Sequence, residues 1–476
     1  MFRKHILYTA KVIFCMLLAG CACVSCNDWL DVSSRAEVKY GDLFSSKNGF
    51  KDQLTGIYTS LCSENLYGAN MTYGMMDALG QQYVWSMEAG KYYYLNRFEY
   101  DKSTGVINSV WSGMYNAIAN VNILLQGIDE FGSILSEEEE KIYRGEALAL
   151  RAFLHFDLLR VFGRSYAPGA DSDAIPYVKT ISNNVTPMST VSEAIDLVIA
   201  DLNEASELLA ADPIATGQPT TELLGSRDFH FNYYAVRALL ARAYLFKNDK
   251  ANALSCAREV IKSNKFPWVS SVNVTTSKPE TRDRIFKSEC IFTLNNIRLK
   301  SLSEIYLCES SNNSNGNLLV TSTETFNDIF ETKVYGFDWR SNYLFENLAQ
   351  FYKGSIKLLQ LSSQYNNRQP IIRVSEMYLI AAECSGTLED AVEYVNELRS
   401  HRGFDARSMI NADDVTEASL QTIIGKEYRK EFISEGQWFF YCKRQNLDAL
   451  PNVTVPFSKS YYVLPIPDQE YEYGNR

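Results

Sequence analysis

The sequence predicts a mostly α fold: a tetratricopeptide-like helical-repeat scaffold carrying an irregular, loop-rich lobe with a few short strands. Three observations predict it. Apolar residues recur at three- and four-residue steps along most of the chain, the spacing of a helix face. Pairs of such helices return with small residues where two helices would touch. Between residues 265 and 370 the periodicity lapses and Asn, Ser and Thr become dense.

The chain opens on a leader rather than on a folded element. Arg3, Lys4 and Lys11 accompany a short apolar run from Val12 to Leu18, and small residues and cysteines follow. That is an export signal over residues 1–25, too short in its apolar part to span a bilayer. Leu18-Ala19-Gly20-Cys21 has the form of a bacterial lipobox, in which the cysteine is acylated and becomes the first residue. Val24-Ser25-Cys26 is a second candidate.

Residues 26–264 read as the N-terminal part of the scaffold. Tyr143, Ala147, Leu150, Leu154 and Leu158 mark one face of a helix between Glu137 and Val161. Ser136 supplies its N-cap, Glu137 to Glu140 its first-turn acids, and Phe162-Gly163 its end. A further helix is predicted over Val191 to Leu209. The clearest pair has one helix from Asn232 to Leu245, a turn at Asn248-Asp249, and a second helix from Ala251 to Ile261. Ala241 and Ala253 let those helices approach, and Tyr244 fills the gap beside them. A second pair spans Ser375 to Arg399 with Ala382 and Ala391, and a more degenerate one joins Trp111–Ile128 to Glu137–Val161. Residues 265–370 form the irregular lobe, with Ile291-Phe292-Thr293-Leu294 as a strand or irregular segment and Glu309 to Gly316 dense in Asn and Ser. Residues 371–476 supply the last helical pair and a closing segment packed on the scaffold.

Composition narrows the function. Hydrophobic residues make up 46% of the 476, charged residues 22%, and the net charge is −11. So acidic a chain lacks the basic patches that phosphate contacts need, which argues against nucleic acid as a partner. No later apolar run is long enough for a membrane-spanning helix. Cys62, Cys256, Cys290, Cys308, Cys384 and Cys442 are scattered, signalling neither a disulfide framework nor a metal site, and read as small apolar fillers. No HExxH, GxSxG or P-loop occurs, and no cofactor is signalled. His155 lies inside an apolar helix and reads as a packed core residue.

Aromatics reach 13%, with 30 tyrosines, and they crowd the segment 65–100. There Tyr73, Tyr83, Trp85, Tyr92, Tyr93, Tyr94, Phe98 and Tyr100 are interleaved with Asp77, Gln81, Gln82, Asn96 and Arg97. Sugars present apolar C–H faces ringed by hydroxyls, so flat rings beside Asp, Asn, Gln or Arg match them. Lacking clean helical periodicity, the segment reads as a surface ligand loop, with Tyr73, Asp77, Gln81, Tyr83 and Trp85 as candidate contacts. The competing reading packs its rings inward. Trp339 beside Arg340 reads as packing within the lobe.

Charged residues in the helices read as structural. Glu146 and Arg151 do not share one helix face, so each is expected to pair with a neighbouring helix. Glu427, Arg429, Glu431 and Glu435 read as a helix charge network. Paired carboxylates hydrolyse glycosides only at a fixed separation across a cleft.

Several motifs, in order, resemble one family. These are Cys26-Asn27-Asp28-Trp29-Leu30-Asp31-Val32, Phe50 with Leu54-Thr55-Gly56-Ile57-Tyr58, Gly145-Glu146-Ala147 with Leu150-Arg151-Ala152, and Ala238 to Leu245. Arg373 to Glu383, Leu398-Arg399 with Arg402-Gly403, Glu427 to Phe432 with Glu435-Gly436 and Lys443-Arg444, and Tyr462 to Pro467 follow. Together they resemble the SusD/RagB family of Bacteroidota surface lipoproteins. The resemblance implies a non-enzymatic lipoprotein, anchored in the outer membrane and surface-exposed, that binds oligosaccharides and hands them to a SusC-like TonB-dependent transporter. It favours Cys26 as the lipidated residue, with Cys21 as the alternative, and places further ligand contacts in the lobe at Trp268 and Tyr306. Two other functions stand beside it: a peptide- or protein-binding helical-repeat scaffold, and a glycoside hydrolase of helical architecture.

Overall fold

A computed structural model of the protein describes residues 40–84, 88–308, 316–349 and 351–474. Cys21, Cys26 and Trp85 lie outside the described residues. In chain order the main helices of the first half are α1 (Lys47–Leu61), α2 (Met75–Leu79), α3 (Thr104–Phe131), α4 (Glu137–Phe162), α5 (Val191–Leu208), α6 (Tyr233–Phe246) and α7 (Lys250–Lys262). A two-stranded antiparallel ribbon, β1 (Asp173–Pro176) with β2 (Met188–Thr190), precedes α5. The lobe contributes β3 (Cys290–Asn295), α8 (Leu299–Tyr306), β4 (Val320–Ser322), α9 (Thr323–Phe330), α10 (Trp339–Tyr343), β5 (Phe345–Ala349) and β6 (Tyr352–Ser355). Then follow β7 (Arg368–Arg373), α11 (Val374–Cys384), α12 (Leu388–Ser400), α13 (Glu417–Glu431) and α14 (Gln437–Arg444).

The helices pack in series, α3 on α4, α4 on α5, α5 on α6, α6 on α7, α7 on α11 and α11 on α12. This is the helical-repeat scaffold the sequence predicts. All three expected pairs form, as α3/α4, α6/α7 and α11/α12. Their small contact residues are buried: Ala241 and Ala253 at 0% exposure, Ala382 and Ala391 at 2% and 4%. Local chemistry sets the ends. Ser136 and Glu139 form a reciprocal capping box at the start of α4, as Thr190 and Glu193 do for α5. Asn248 takes a left-handed conformation in the turn before α7, and Asp249 caps that helix. Gly163 ends α4 in an extended conformation. A side chain there would sit 2.9 Å from the Leu159 carbonyl, so close approach, not a left-handed turn, requires the glycine.

The charged residues of α4 cross-link helices, as expected. Arg151 donates Nε and Nη2 to Asp201 of α5 at 2.7 and 2.9 Å. Glu146 accepts from Tyr58 of α1 at 2.9 Å and pairs with Arg227 and His230. Burial acts to raise the Glu146 pKa, but Arg227 and His230 outweigh it and hold it at about 2. His155 is fully buried. Its Nδ1 meets the Arg151 carbonyl at 2.8 Å and its Nε2 accepts from the Val178 N–H at 2.9 Å, and burial pushes its pKa down to about 3. It is therefore a neutral core residue.

β3 pairs antiparallel with β7, so the lobe leaves and re-enters the scaffold through adjacent strands. Inside it lies a three-stranded sheet in the order β4-β6-β5 and a small core of its own around Val274, Phe286, Phe326, Phe330 and Phe345. Buried charges close the lobe onto α13. Glu431 accepts from Arg373 at 2.5 Å, from Arg402 at 2.7 Å and from Arg340 at 3.1 Å. Glu427 pairs with Arg340, Arg399 and Lys430, and Glu435 with Arg373 and Lys357. Arg340, beside Trp339, also holds Asp338 in the lobe. Three arginines around one carboxylate outweigh its burial and keep Glu431 ionised far below the usual carboxylate range.

Candidate functional site

Helix α13 has two faces. Glu427 and Glu431 point into the charge network, while Gln421, Gly425 and Arg429, four residues apart, turn the other way with Thr422 and Lys426 beside them. That second face lines a pocket of ≈ 390 Å³ with Trp438, Tyr441 and Gln445 from α14 and its end, Asp328 and Ile329 from α9, and Leu447 and Pro451 from the loop beyond. The volume is in the range of a small-ligand site.

The Trp438 and Tyr441 rings, one turn apart on α14, are stacked with centroids 5.4 Å apart and planes at 13°, and they are embedded in the pocket wall at 4% and 6% exposure. Gly425 makes room for Tyr441, and Gly80 for Trp438. A Cβ at Gly425 would lie 2.9 Å from the Tyr441 hydroxyl. The indole Nε1 of Trp438 is buried and has no hydrogen-bond partner among the described residues. Arg429 spans the floor, donating Nε to Gln82 at 3.1 Å, Nη1 to Asp328 at 3.2 Å and Nη2 to Asn452 at 2.5 Å. Lys426 pairs with Glu331 at 2.8 Å. Each cation in the lining thus already has a carboxylate partner, and the carboxylate of Asp328 is largely solvent-exposed. The pocket offers apolar ring surface, hydrogen-bonding groups and no uncompensated positive field.

The residues expected from segment 65–100 stand behind this pocket rather than in it. Tyr73, Asp77, Gln81 and Tyr83 are 0–4% exposed. The physical reason is that residues 62–74 wind through consecutive turns whose backbone groups bond locally, as Met71 N–H to Leu66 and Gly74 N–H to Ala69 show, and lead into the buried helix α2 that carries Asp77. Such a path can be buried without helical spacing. Asp77 accepts the N–H groups of Ser434 and Gly436 at 2.6 and 3.2 Å, and burial lifts its pKa to about 7. Ser434 and Gly436 are both left-handed, so Asp77 holds the tight turn that launches α14 and its stacked rings. Gln81 donates to the Asn96 carbonyl at 2.8 Å. The chain approaching Trp85 is fixed by the Val84 N–H on the Val320 carbonyl at 2.8 Å.

Of the two lobe residues, Tyr306 is 5% exposed, donates to Glu64 at 2.6 Å and clusters with Tyr73 and Tyr92. Trp268 is half-buried, stacks on His401 at 4.9 Å and donates to Glu397 at 3.1 Å. The structure therefore brings Tyr73 and Tyr306 together and leaves Trp268 apart. Sequence reasoning missed Trp438 and Tyr441 as a platform, although Trp438-Phe439-Phe440-Tyr441 puts two amphipathic rings three residues apart directly after the Glu435-Gly436 turn.

Two family models match the chain, one described as starch-binding associating with outer membrane over residues 28–245, the other as the SusD family over residues 312–472. The chain belongs to the SusD family. Among curated relatives it is similar to SusD-like protein P38 of Formosa agariphila, 26% identical over 179 residues, or 38% of this chain and 30% of that one. It also resembles SusD-like protein P25 of the same organism, 22% identical over 30% of this chain and 28% of that one. The alignments thus span less than a third of these relatives. Solved structures show the same SusD fold over nearly the whole chain. A SusD superfamily protein of Bacteroides thetaiotaomicron has a TM-score of 0.70 at 22% identity, covering 90% of this chain and 98% of that one. A laminarin-binding SusD-like protein has a TM-score of 0.66 at 19% identity, covering 90% and 97%. Among the described residues no helix is long and apolar enough to cross a membrane.

Proposed function

We propose that this SusD-family protein captures neutral oligosaccharides at the bacterial cell surface, anchored in the outer membrane by a lipid on Cys26 or Cys21, and passes them to a SusC-like TonB-dependent transporter. The observation that carries the proposal is the Trp438–Tyr441 pocket. The margins of the two rings, with Ile329, Leu447 and Pro451, line the pocket with apolar surface for a sugar, and Asp328, Gln421 and Thr422 supply hydrogen-bonding groups beside it. The paired state of Lys426 and Arg429 favours uncharged sugars over uronates. One structural neighbour is a laminarin-binding SusD-like protein, which supports a glycan as the ligand. Trp85 is kept in this reading as a further candidate sugar contact.

The reading is one of binding without turnover. Glu427, Glu431 and Glu435 are buried and each is committed to arginine or lysine, so none stands across a cleft from a second carboxylate. Calorimetric titration with a panel of neutral and acidic oligosaccharides, alongside a reducing-sugar assay, tests it. Saturable binding of a neutral glycan with no release of reducing ends is expected. Binding of acidic glycans alone, or sugar release lost on mutating one carboxylate, would contradict it.

A further inference from the structure

A second, smaller cavity of ≈ 40 Å³ lies where α4, α6, α11, α13 and α14 meet, on the other side of α14 from the sugar pocket. Its wall carries four cations, Arg160, Arg242, Lys443 and Arg444, and one carboxylate, Glu376. Three of the four cations are matched. Arg160 pairs with Asp157, Arg242 donates to Glu376 at 2.7 and 2.5 Å, and Arg444 donates to Glu383 at 2.5 and 2.8 Å.

Lys443 is the exception. It is 2% exposed, and its ammonium donates only to the carbonyls of Arg160 and Val161, at 2.6 and 3.3 Å. No carboxylate pairs with it among the described residues. The remaining prong of Arg242, Nη1, is also buried without a hydrogen-bond partner. A buried ammonium with no counter-charge costs several kcal/mol. The cell therefore has two ways to balance this wall: strip the proton from Lys443, or admit a negative ion. Burial and Arg160 both act to strip the proton and push the Lys443 pKa far down. A negative ion beside Lys443 and Arg242 Nη1 removes that pressure and gives both groups an acceptor.

We propose that this cavity is an internal site for one halide-sized monovalent anion, held by Lys443 and the free prong of Arg242. The size fits. One water needs about 10–15 Å³ of such space, so the cavity takes a chloride with a water or two. The location gives the anion a consequence. Arg160 and the carbonyls of Arg160 and Val161 belong to the end of α4, Arg242 to α6, and Lys443 to α14. The ion thus ties the first helical pair to the helix that carries Trp438 and Tyr441, and the sugar-binding face is braced by an inorganic ion.

Two measurements on the full mature protein test this. Crystals grown in bromide instead of chloride should show an anomalous peak in the cavity between Lys443 Nζ and Arg242 Nη1. In solution, the melting temperature in sodium bromide or chloride should exceed that in sodium gluconate of equal ionic strength by about 1–2 °C, and Lys443→Met should abolish the difference. Bromide peaks confined to the surface, an adventitious ion only, would overturn the proposal, as would a water-only cavity. An undiminished halide effect in Lys443→Met would overturn it too. If that variant does not fold, the bromide map alone decides.

Discussion

Replacing Glu431 by Gln keeps its size and one acceptor oxygen but removes the charge that three arginines share. In the native protein its carboxylate takes Arg373 at 2.5 Å, Arg402 at 2.7 and 2.9 Å and Arg340 at 3.1 Å, and all four side chains are 0–1% exposed. Removing one member of a buried ionic set leaves the others uncompensated and costs about 3–5 kcal/mol. The three arginines reach Glu431 from β7, from just beyond α12 and from α10, so the loss falls on the seam between lobe and scaffold. Lys141–Glu137 is the control, an exposed pair on α4 with side chains 46% and 85% accessible. Glu137→Gln should leave the unfolding midpoint essentially where it is. Urea unfolding should show a midpoint for Glu431→Gln lowered by that energy divided by an unchanged slope. Limited proteolysis should cut first within residues 269–345. A Glu431→Gln protein within about 1 kcal/mol of wild type would refute the view that this network closes the lobe.

Further outcomes follow from the pKa shifts, from the pocket and from the leader sequence. Glu146 and Glu427, held at about 2, and His155, held at about 3, have folded pKa values below their unfolded ones, so their stability is present near neutrality and lost as pH falls from 6.5 toward 2. Asp77 has the opposite sign. Raised to about 7, it stabilises below 4 and loses that contribution as pH climbs through 7, so Asp77→Asn should flatten the decline in melting temperature between pH 4 and 7 and leave the acid limb intact. Gly425→Ala should push the Tyr441 ring aside and weaken sugar binding about tenfold with little change in melting temperature; unchanged affinity by calorimetry would contradict the platform. Mass spectrometry of protein from native membranes should find an acylated N-terminal cysteine at Cys26 or Cys21, and a non-acylated chain beginning elsewhere would remove the anchor.

The scaffold was legible because helix pairing writes itself locally. The capping box at Ser136, the turn at Asn248-Asp249 and the small residues at Ala241 and Ala253 each act within a few residues of where they appear. The inward pairing of Arg151 and Glu146 was also legible, since two charges on different faces of an apolar helix must find partners elsewhere. The pocket was not. Its walls come from α9 in the lobe and from α13, α14 and the loop beyond, and 93 positions separate Asp328 from Gln421. Its rings lie in an aromatic run that reads equally well as core. Composition drew the eye instead to segment 65–100, where Tyr73, Asp77, Gln81 and Tyr83 turn inward because successive turns satisfy their own backbone. Asp77 shows what such a residue does in place of surface contact: it fixes the left-handed turn before α14 and so sets where Trp438 stands.

The claim that a sugar occupies the Trp438–Tyr441 pocket is tested most directly by filling the pocket. Thr422 lies on the exposed face of α13 at its rim, so Thr422→Phe adds a ring to the ≈ 390 Å³ space without touching the core. Calorimetric titration of wild type and variant with the neutral oligosaccharide that binds best should show affinity lowered at least tenfold, about 1.4 kcal/mol, at an unchanged melting temperature. Equal affinity in the two proteins would contradict the account and move the ligand to another face.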